Sequence, residues 1–404
     1  MNGHAHGDTE YSVATFKPLL SKLLQRPESF TPADLRLALL HFASRQISSA
    51  QTGSFLASLK VTNVWRKPEL VQVLVGFMQD LSGSVKVGAS GNICDWTFTG
   101  ESGLSVINVA LPAAIVAAGA GCRVVKHGNA SSPWPSTPSS GDILTALSVP
   151  TTSLPPFSIT KIASSRHVPF LHIYTPRYSP HLAALSPLRR ELGFETIFHS
   201  LACLISPAKR DYLVIGVHEE RLGQVFVEGC KSLQTKRAWI VHGRIGLDAI
   251  STEGETLLWE LKDGAVTART LSPADFGVQE HPLAAVQLPK DGSHASLAYN
   301  NSVHAKIIAS LLSPRRLRAN GPIVAPYEPD AYGTVRPIET QALEDFVCMN
   351  AAALLVVSGR AGDEREGMRL ARKSLKEGKA YHALEALRDA AALAVDVDEA
   401  ESTI

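Results

Sequence analysis

The stretch VINVALPAAIVAAGAGCRVVKHGN, residues 106–129, decides the fold class. Its first half is made of alanine and small aliphatic residues and reads as a helix from about Leu111 to Ala118. Glycines 119 and 121 end it, and Cys122 to Val125 is a short β-rich run. Downstream, PFLHIYT (169–175), DYLVIGVH (211–218) and RAWIVHG (237–243) are bounded apolar runs of the kind that buried strands make, with helical stretches between them. Alternation of this kind predicts an α/β domain with a mostly parallel central sheet flanked by helices.

Upstream of that region the texture is different. From about Phe16 to Leu81 apolar residues recur at intervals of three and four, as in Leu70, Val71, Leu74 and Phe77, which predicts helices. Thr31-Pro-Ala-Asp34 supplies an N-cap, a proline at the first helical position and an acid in the first turn. The Ser/Thr/Pro-rich segment 131–156 predicts a loop or lid, and residues 363–394 an amphipathic helix before a frayed acidic tail.

Composition narrows the partners. The 404 residues are 45% hydrophobic and 19% charged, with a formal net charge of +1, so no basic face predicts nucleic acid. Arg315, Arg316 and Arg318 read as a solvated face, and His4 and His6 as an incidental pair on a leader. The five cysteines lack CxxC spacing and predict reduced, mostly buried thiols. The opening residues carry no signal-peptide pattern and no run reaches about 18 uninterrupted apolar residues, so neither export nor a membrane is expected and a cytoplasmic location follows by default.

Five strings in register resemble the anthranilate phosphoribosyltransferases: ICDWTFTGESGLSVINVA (93–110), VVKHGN (124–129), YSPHLAALSPLRRELGFETIFHSLACLISPA (178–208), VHGRIGLDAIS (241–251) and LSPADFGVQEHPL (271–283). The resemblance implies a small helical domain, residues 1–85 with helices returning from about 180–210, and an α/β domain, 86–404. It implies a substrate cleft between them, a homodimer, and displacement of pyrophosphate from phosphoribosyl pyrophosphate by the amine of anthranilate, with magnesium, as in tryptophan biosynthesis.

The chain departs from the family on the phosphate side. Where the family has Gly-Thr-Gly-Gly-Asp, this sequence has Phe98-Thr99-Gly100-Glu101-Ser102. A carboxylate at 101 would repel a phosphate oxygen by roughly 4 kcal/mol at about 4 Å and an effective dielectric near 20, unless it is rotated away. Asn108 of the Asn-x-Ser-Thr motif is kept, but Ala110 and Leu111 follow where hydroxyls belong, and they can neither donate nor ligate. The family's magnesium-holding Asp-Glu pair is Asp248-Ala249 here, leaving Asp248 as the residual metal candidate or, preferably, a cap.

The acceptor side is better kept. The resemblance assigns catalytic or acceptor-facing positions to His127, Asn129 and Arg189, and an arginine fork suits an aromatic carboxylate. Lys126-His127-Gly128-Asn129 is otherwise a strand-to-loop turn in which Gly128 supplies a positive φ. Substrate-binding candidates are Lys126, Gly128, Asn108, Tyr178, Thr99, Gly100, Glu101, Ser102, His181 and His199. His181, His199 and Cys203 could also be cavity-filling replacements. The asymmetric losses favour a repurposed, secondary-metabolite type of enzyme acting on an aromatic or carboxylated small molecule without magnesium or phosphoribosyl pyrophosphate. The family reaction, which would require Mg²⁺, and a non-catalytic binder are the alternatives.

Overall fold

The computed structural model describes residues 11–88, 92–129, 138–288, 297–323 and 338–402. Four helices come first, Val13–Gln25, Pro32–Ser44, Ser49–Thr62 and Pro68–Asp80. The Thr31 hydroxyl accepts from the Asp34 amide while the Asp34 carboxylate accepts from the Thr31 amide, a reciprocal cap repeated at Ser12 and Ser48.

Seven strands form one sheet: β1 (Ile93–Phe98), β2 (Arg123–Gly128), β3 (Phe170–Tyr174), β4 (Tyr212–Gly216), β5 (Arg237–Gly243), β6 (Thr256–Lys262) and β7 (Ala265–Leu271). Their spatial order is β3-β2-β1-β4-β5-β6-β7. The first five in chain order run parallel, and β6 and β7 close the edge as an antiparallel ribbon. From β1 the chain winds one way to β2 and β3, then returns on the other side as β4 and β5. Crevices at the carboxyl ends of strands at such a reversal are where open α/β sheets take ligands, and here that point is the end of β1, at Phe98-Thr99-Gly100.

Each face of the sheet covers its own core. On one, Leu213, Ile215 and Ile240 pack with Phe16, Leu39, Phe55 and Leu74 of the first four helices, and Ile197–Ile205 joins the same cluster. On the other, Trp96 and Trp239 meet the helix Ala110–Gly119 and the helix Thr340–Val357. Thr340–Val357 is long and apolar enough by composition to cross a membrane, yet it is almost wholly enclosed by the fold. All five cysteines are free and buried.

Four features differ from what the sequence predicts. The helix expected over 363–394 is two, Glu364–Lys376 and Lys379–Ser402, because Gly378 takes a left-handed φ of 72° between them. The acidic tail is therefore helical as far as Ser402. Within the expected loop, Ser140–Ala146 is a helix capped by Ser139, whose hydroxyl accepts from the Asp142 amide. Gly128 ends β2 without a positive φ, so it makes no turn. His4, His6, Ala130 and residues 131–137 lie outside the described residues.

Candidate active site

The loop after β1 is pinned from below. The Thr99 amide donates to the Gly216 carbonyl at 3.0 Å, and Gly100, in the left-handed region at φ 75°, donates its amide to Asp248 Oδ2 at 2.8 Å. Gly216, which ends β4, has to be glycine: a Cβ there would stand 1.8 Å from the Asp248 carbonyl oxygen. Burial pushes the Asp248 carboxyl up to about 6 even though the Gly100 amide favours its charge. Asp248 is a loop anchor; no helix starts after it, so the helix-cap role preferred above gives way to this one.

Gly100 and Ser102 share a narrow cavity with Asn108, Val109 and Asp248, at the amino end of the helix Ala110–Gly119. Asn108 is buried and fully used. Its Oδ1 accepts from the Leu111 amide at 3.2 Å, its Nδ2 donates to the Pro138 carbonyl at 3.0 Å, and its own amide meets His304 Nδ1 at 3.3 Å. Asn108 thus caps the helix whose next residues, Ala110 and Leu111, have no hydroxyl to offer.

Magnesium needs oxygen ligands, usually one or two carboxylates beside substrate phosphates. This cavity offers Asp248 alone, already engaged by Gly100, while Ala249, Ala110 and Leu111 add none. Among the described residues, no group of three His, Cys, Asp or Glu side chains could hold a metal. The side chains present therefore do not build a magnesium site of their own.

Glu101 points away from that cavity. Its Oε1 accepts from the Ser200 hydroxyl at 2.6 Å, and its Oε2 lies 3.5 Å from His218 Nε2. His218 Nδ1 is in turn 3.0 Å from the Thr99 hydroxyl. Burial first, then the hydrogen-bonded Glu195 carboxyl, pushes Glu101 up to about 7, with Ser200 and His218 opposing. Arg189 sits on the same side, its guanidinium 3.2 Å from His199 Nδ1, so that ring nitrogen is an acceptor. Burial and Arg189 lower His199 to about 4, leaving a neutral imidazole. Lys60 donates to the Glu195 carbonyl at 2.7 Å and closes this wall.

Lys126 and His127 are placed differently from the expectation. Both are buried within the fold. His127 Nδ1 is 2.7 Å from Asp95 Oδ2 and its Nε2 is 3.3 Å from the Ala202 carbonyl. Arg210 donates to the same Asp95 oxygen at 3.1 Å and to the Cys203 carbonyl at 3.2 Å, while Lys126 Nζ donates to the Trp96 carbonyl. Burial raises the Asp95 carboxyl, but His127, Lys126 and Arg210 outweigh it and hold it below its ordinary value. Burial lowers His127, and lowers Lys126 to about 8. This is an interior charge knot: Asp95 Oδ2 is shared by His127 and Arg210, the other donors go to backbone carbonyls, and Asp95 Oδ1 has no hydrogen-bond partner among the described residues. Asn129, just beyond β2, is exposed.

The structure thus gathers Glu101, Arg189 and His199 at one wall, and Gly100, Ser102, Asn108 and Asp248 around the cavity, with Thr99 linking the two. Tyr178 is buried in the core of the α/β part and its hydroxyl has no hydrogen-bond partner among the described residues. His181 is exposed and lines a separate apolar pocket with Phe42, Phe77 and Leu188. Arg316 pairs with Glu344 at 2.7 Å, a structural use for the arginine run.

A family model described as "Glycosyl transferase family, a/b domain" matches residues 90–304. Anthranilate phosphoribosyltransferase of Schizosaccharomyces pombe is 32% identical over 380 residues, covering 92% of this chain and 97% of that one. That of Solibacter usitatus is 31% identical over 379 residues, covering 93% and 98%. The chain belongs to the anthranilate phosphoribosyltransferase family. The fold agrees: the structure of the Saccharomyces cerevisiae anthranilate phosphoribosyltransferase in complex with PRPP and Mg superposes with a TM-score of 0.78 over 95% of this chain and 99% of that one, at 24% identity.

Within an anthranilate phosphoribosyltransferase frame, the residues that sequence reasoning missed are those that hold others. Asp95, Arg210, Glu195 and His218 sit inside or beside the quoted strings but match no motif. The alternation of β1 could have found Asp95, since a carboxylate in a buried strand requires partners.

Proposed function

We propose that the protein is an anthranilate phosphoribosyltransferase acting in tryptophan biosynthesis, in the cytoplasm. One observation carries the reading: Glu101, the residue that argued most strongly against a diphosphate, is drawn onto Ser200 and His218 and leaves the cavity at Gly100, Ser102 and Asn108 clear of its side chain. The full-length similarity to curated members supports it. Nothing among those relatives supports the changed, metal-independent chemistry favoured in the sequence reading, so that expectation gives way to its alternative.

In this reaction the anthranilate nitrogen forms a bond to the ribose anomeric carbon as the carbon–oxygen bond to diphosphate breaks, the diphosphate leaves with the bonding electron pair, and the nitrogen's proton passes to solvent. The β1 loop and the capped helix start receive the phosphates, favoured by the positive end of the helix dipole. Arg189 receives the acceptor carboxylate, its orientation fixed by neutral His199. With Asp248 alone and already engaged by Gly100, magnesium would be a part of the substrate, bound with phosphoribosyl pyrophosphate, rather than an ion held by the protein.

Loss of anthranilate fluorescence on adding phosphoribosyl pyrophosphate and Mg²⁺ tests this directly. Consumption that requires both is expected. Absence of consumption, together with no calorimetric binding of phosphoribosyl pyrophosphate, would overturn the reading. A homodimer, expected from the resemblance, belongs to the same proposal and is checked by light scattering.

A further inference from the structure

Resting on the donor-binding reading above, we propose that Glu101 is a proton-operated gate: phosphoribosyl pyrophosphate enters the β1 loop with uptake of a proton by this carboxylate. Four observations carry it. Glu101 lies between Gly100 and Ser102, both of which line the cavity at the helix start. Its side chain is almost enclosed, 6% exposed, so water screens its charge poorly. Its two oxygens meet two different parts of the fold, the Ser200 hydroxyl on the helical side and His218 beyond β4. And among the described residues no lysine or arginine pairs with it to cancel its charge when a polyanion arrives.

The surrounding groups support the last point. Glu195 lies beside Glu101 and, like Asp248 beneath the loop, disfavours its negative charge. His218 is the nearest base, but burial lowers it, and its Nε2 is shared between Glu101 and Glu219, each at 3.5 Å. His199 is neutral beside Arg189. Arg189 feels Glu101 but directs its hydrogen bond to His199, and Lys60 is engaged with the Glu195 carbonyl. Cys203, below, keeps its proton because burial raises it. Of these groups Glu101 lies nearest neutrality, at about 7, and Asp248, at about 6, is present in the wild type and in Glu101→Gln alike. Protonation removes the repulsion, and the neutral acid can still turn its oxygen to Ser200.

The test is calorimetric titration of the full chain with Mg²⁺-phosphoribosyl pyrophosphate at about pH 6 and about pH 8, for the wild type, Glu101→Gln and Ser200→Ala. The donor phosphates titrate in this range too, so the quantity read is the wild-type pH ratio divided by that of Glu101→Gln. The protonated fraction falls from about nine-tenths to about one-tenth across that interval, so an additional loss of affinity of roughly tenfold is expected in the wild type alone. Ser200→Ala, which removes a hydrogen bond favouring the ionised form, should move the fall to higher pH. Equal pH ratios in wild type and Glu101→Gln overturn the gate and leave the function standing. Failure of all three proteins to bind the donor at either pH removes the function and the gate together.

Discussion

Asp248 holds Gly100 in place: Oδ2 accepts the glycine amide at 2.8 Å and approaches the Thr99 hydroxyl at 3.5 Å. A hydrogen bond to a carboxylate is worth about 1.5–3 kcal/mol, so Asp248→Ala should raise the donor KM by roughly 10- to 100-fold. Asp248→Asn, which still offers an oxygen to the amide, should keep most of the affinity. Initial rates against donor concentration separate the two, and equal losses in both variants would return Asp248 to the role of an essential charge.

Arg189 makes a prediction about the other substrate. Arg189→Ala should weaken anthranilate binding by roughly 10- to 100-fold in a fluorescence titration, and Arg189→Lys should not recover it, since a point charge cannot reproduce the planar fork. Unchanged affinity would mean that the acceptor carboxylate is held elsewhere.

Asp95 bears on stability. Removing it leaves Arg210, Lys126 and His127 enclosed without their counter-charge, and breaking a buried pair in this way costs about 3–5 kcal/mol. Urea unfolding of Asp95→Ala should show a midpoint lowered accordingly. A shift below about 1 kcal/mol would free Lys126 and His127 for a role at the ligand.

His304 predicts acid sensitivity. Burial lowers its imidazole to about 4, against an unfolded value near 6.5, so between those values the unfolded chain binds a proton that the folded chain does not. Stability therefore falls as the pH drops below about 6.5, by roughly 2 kcal/mol on reaching about pH 5. His172, lowered to about 3 by burial and by Lys126, acts in the same direction. Chemical denaturation of the wild type and His304→Gln across this range checks it: the variant should show the smaller decline.

The thiols should react in a fixed order. Cys122 is held below its ordinary value by Cys94, with Ser358 and Arg360 assisting against burial, while burial raises Cys203 and Cys348 and pushes Cys230 up to about 12. Cys94 and Cys122 line a cavity with Ser358 and Arg360, and native alkylation followed by peptide mass spectrometry should find this pair modified before Cys230. Modification of Cys230 ahead of the pair would contradict the geometry.

Much of the architecture was legible because it rests on periodicity and capping. Thr31-Pro-Ala-Asp34 announced its helix, and the runs 169–175, 211–218 and 237–243 announced β3, β4 and β5. The β6–β7 ribbon was passed over, though Asp263-Gly264, both with positive φ, is a strong hairpin signal. The site was harder. Residue type fixed neither the direction of the Glu101 side chain nor the enclosure of His127, because both depend on partners about 75 to 120 residues distant, Ala202 and His218 among them. A motif gives the identity of a side chain, whereas its protonation and reach come from what folds against it.

Gly216 has a consequence for how this cleft can change over generations. Because the 248 carbonyl occupies the space where any side chain at 216 would begin, the end of β4 and the segment Leu247–Ala249 cannot drift independently. With the Asp248 carboxylate fastened to Gly100, three segments distant in the chain are inherited as one mechanical unit. Substitutions at 98, 101, 110 and 249 alter the chemistry presented on that unit, while its geometry is free to persist as long as residue 216 has no Cβ.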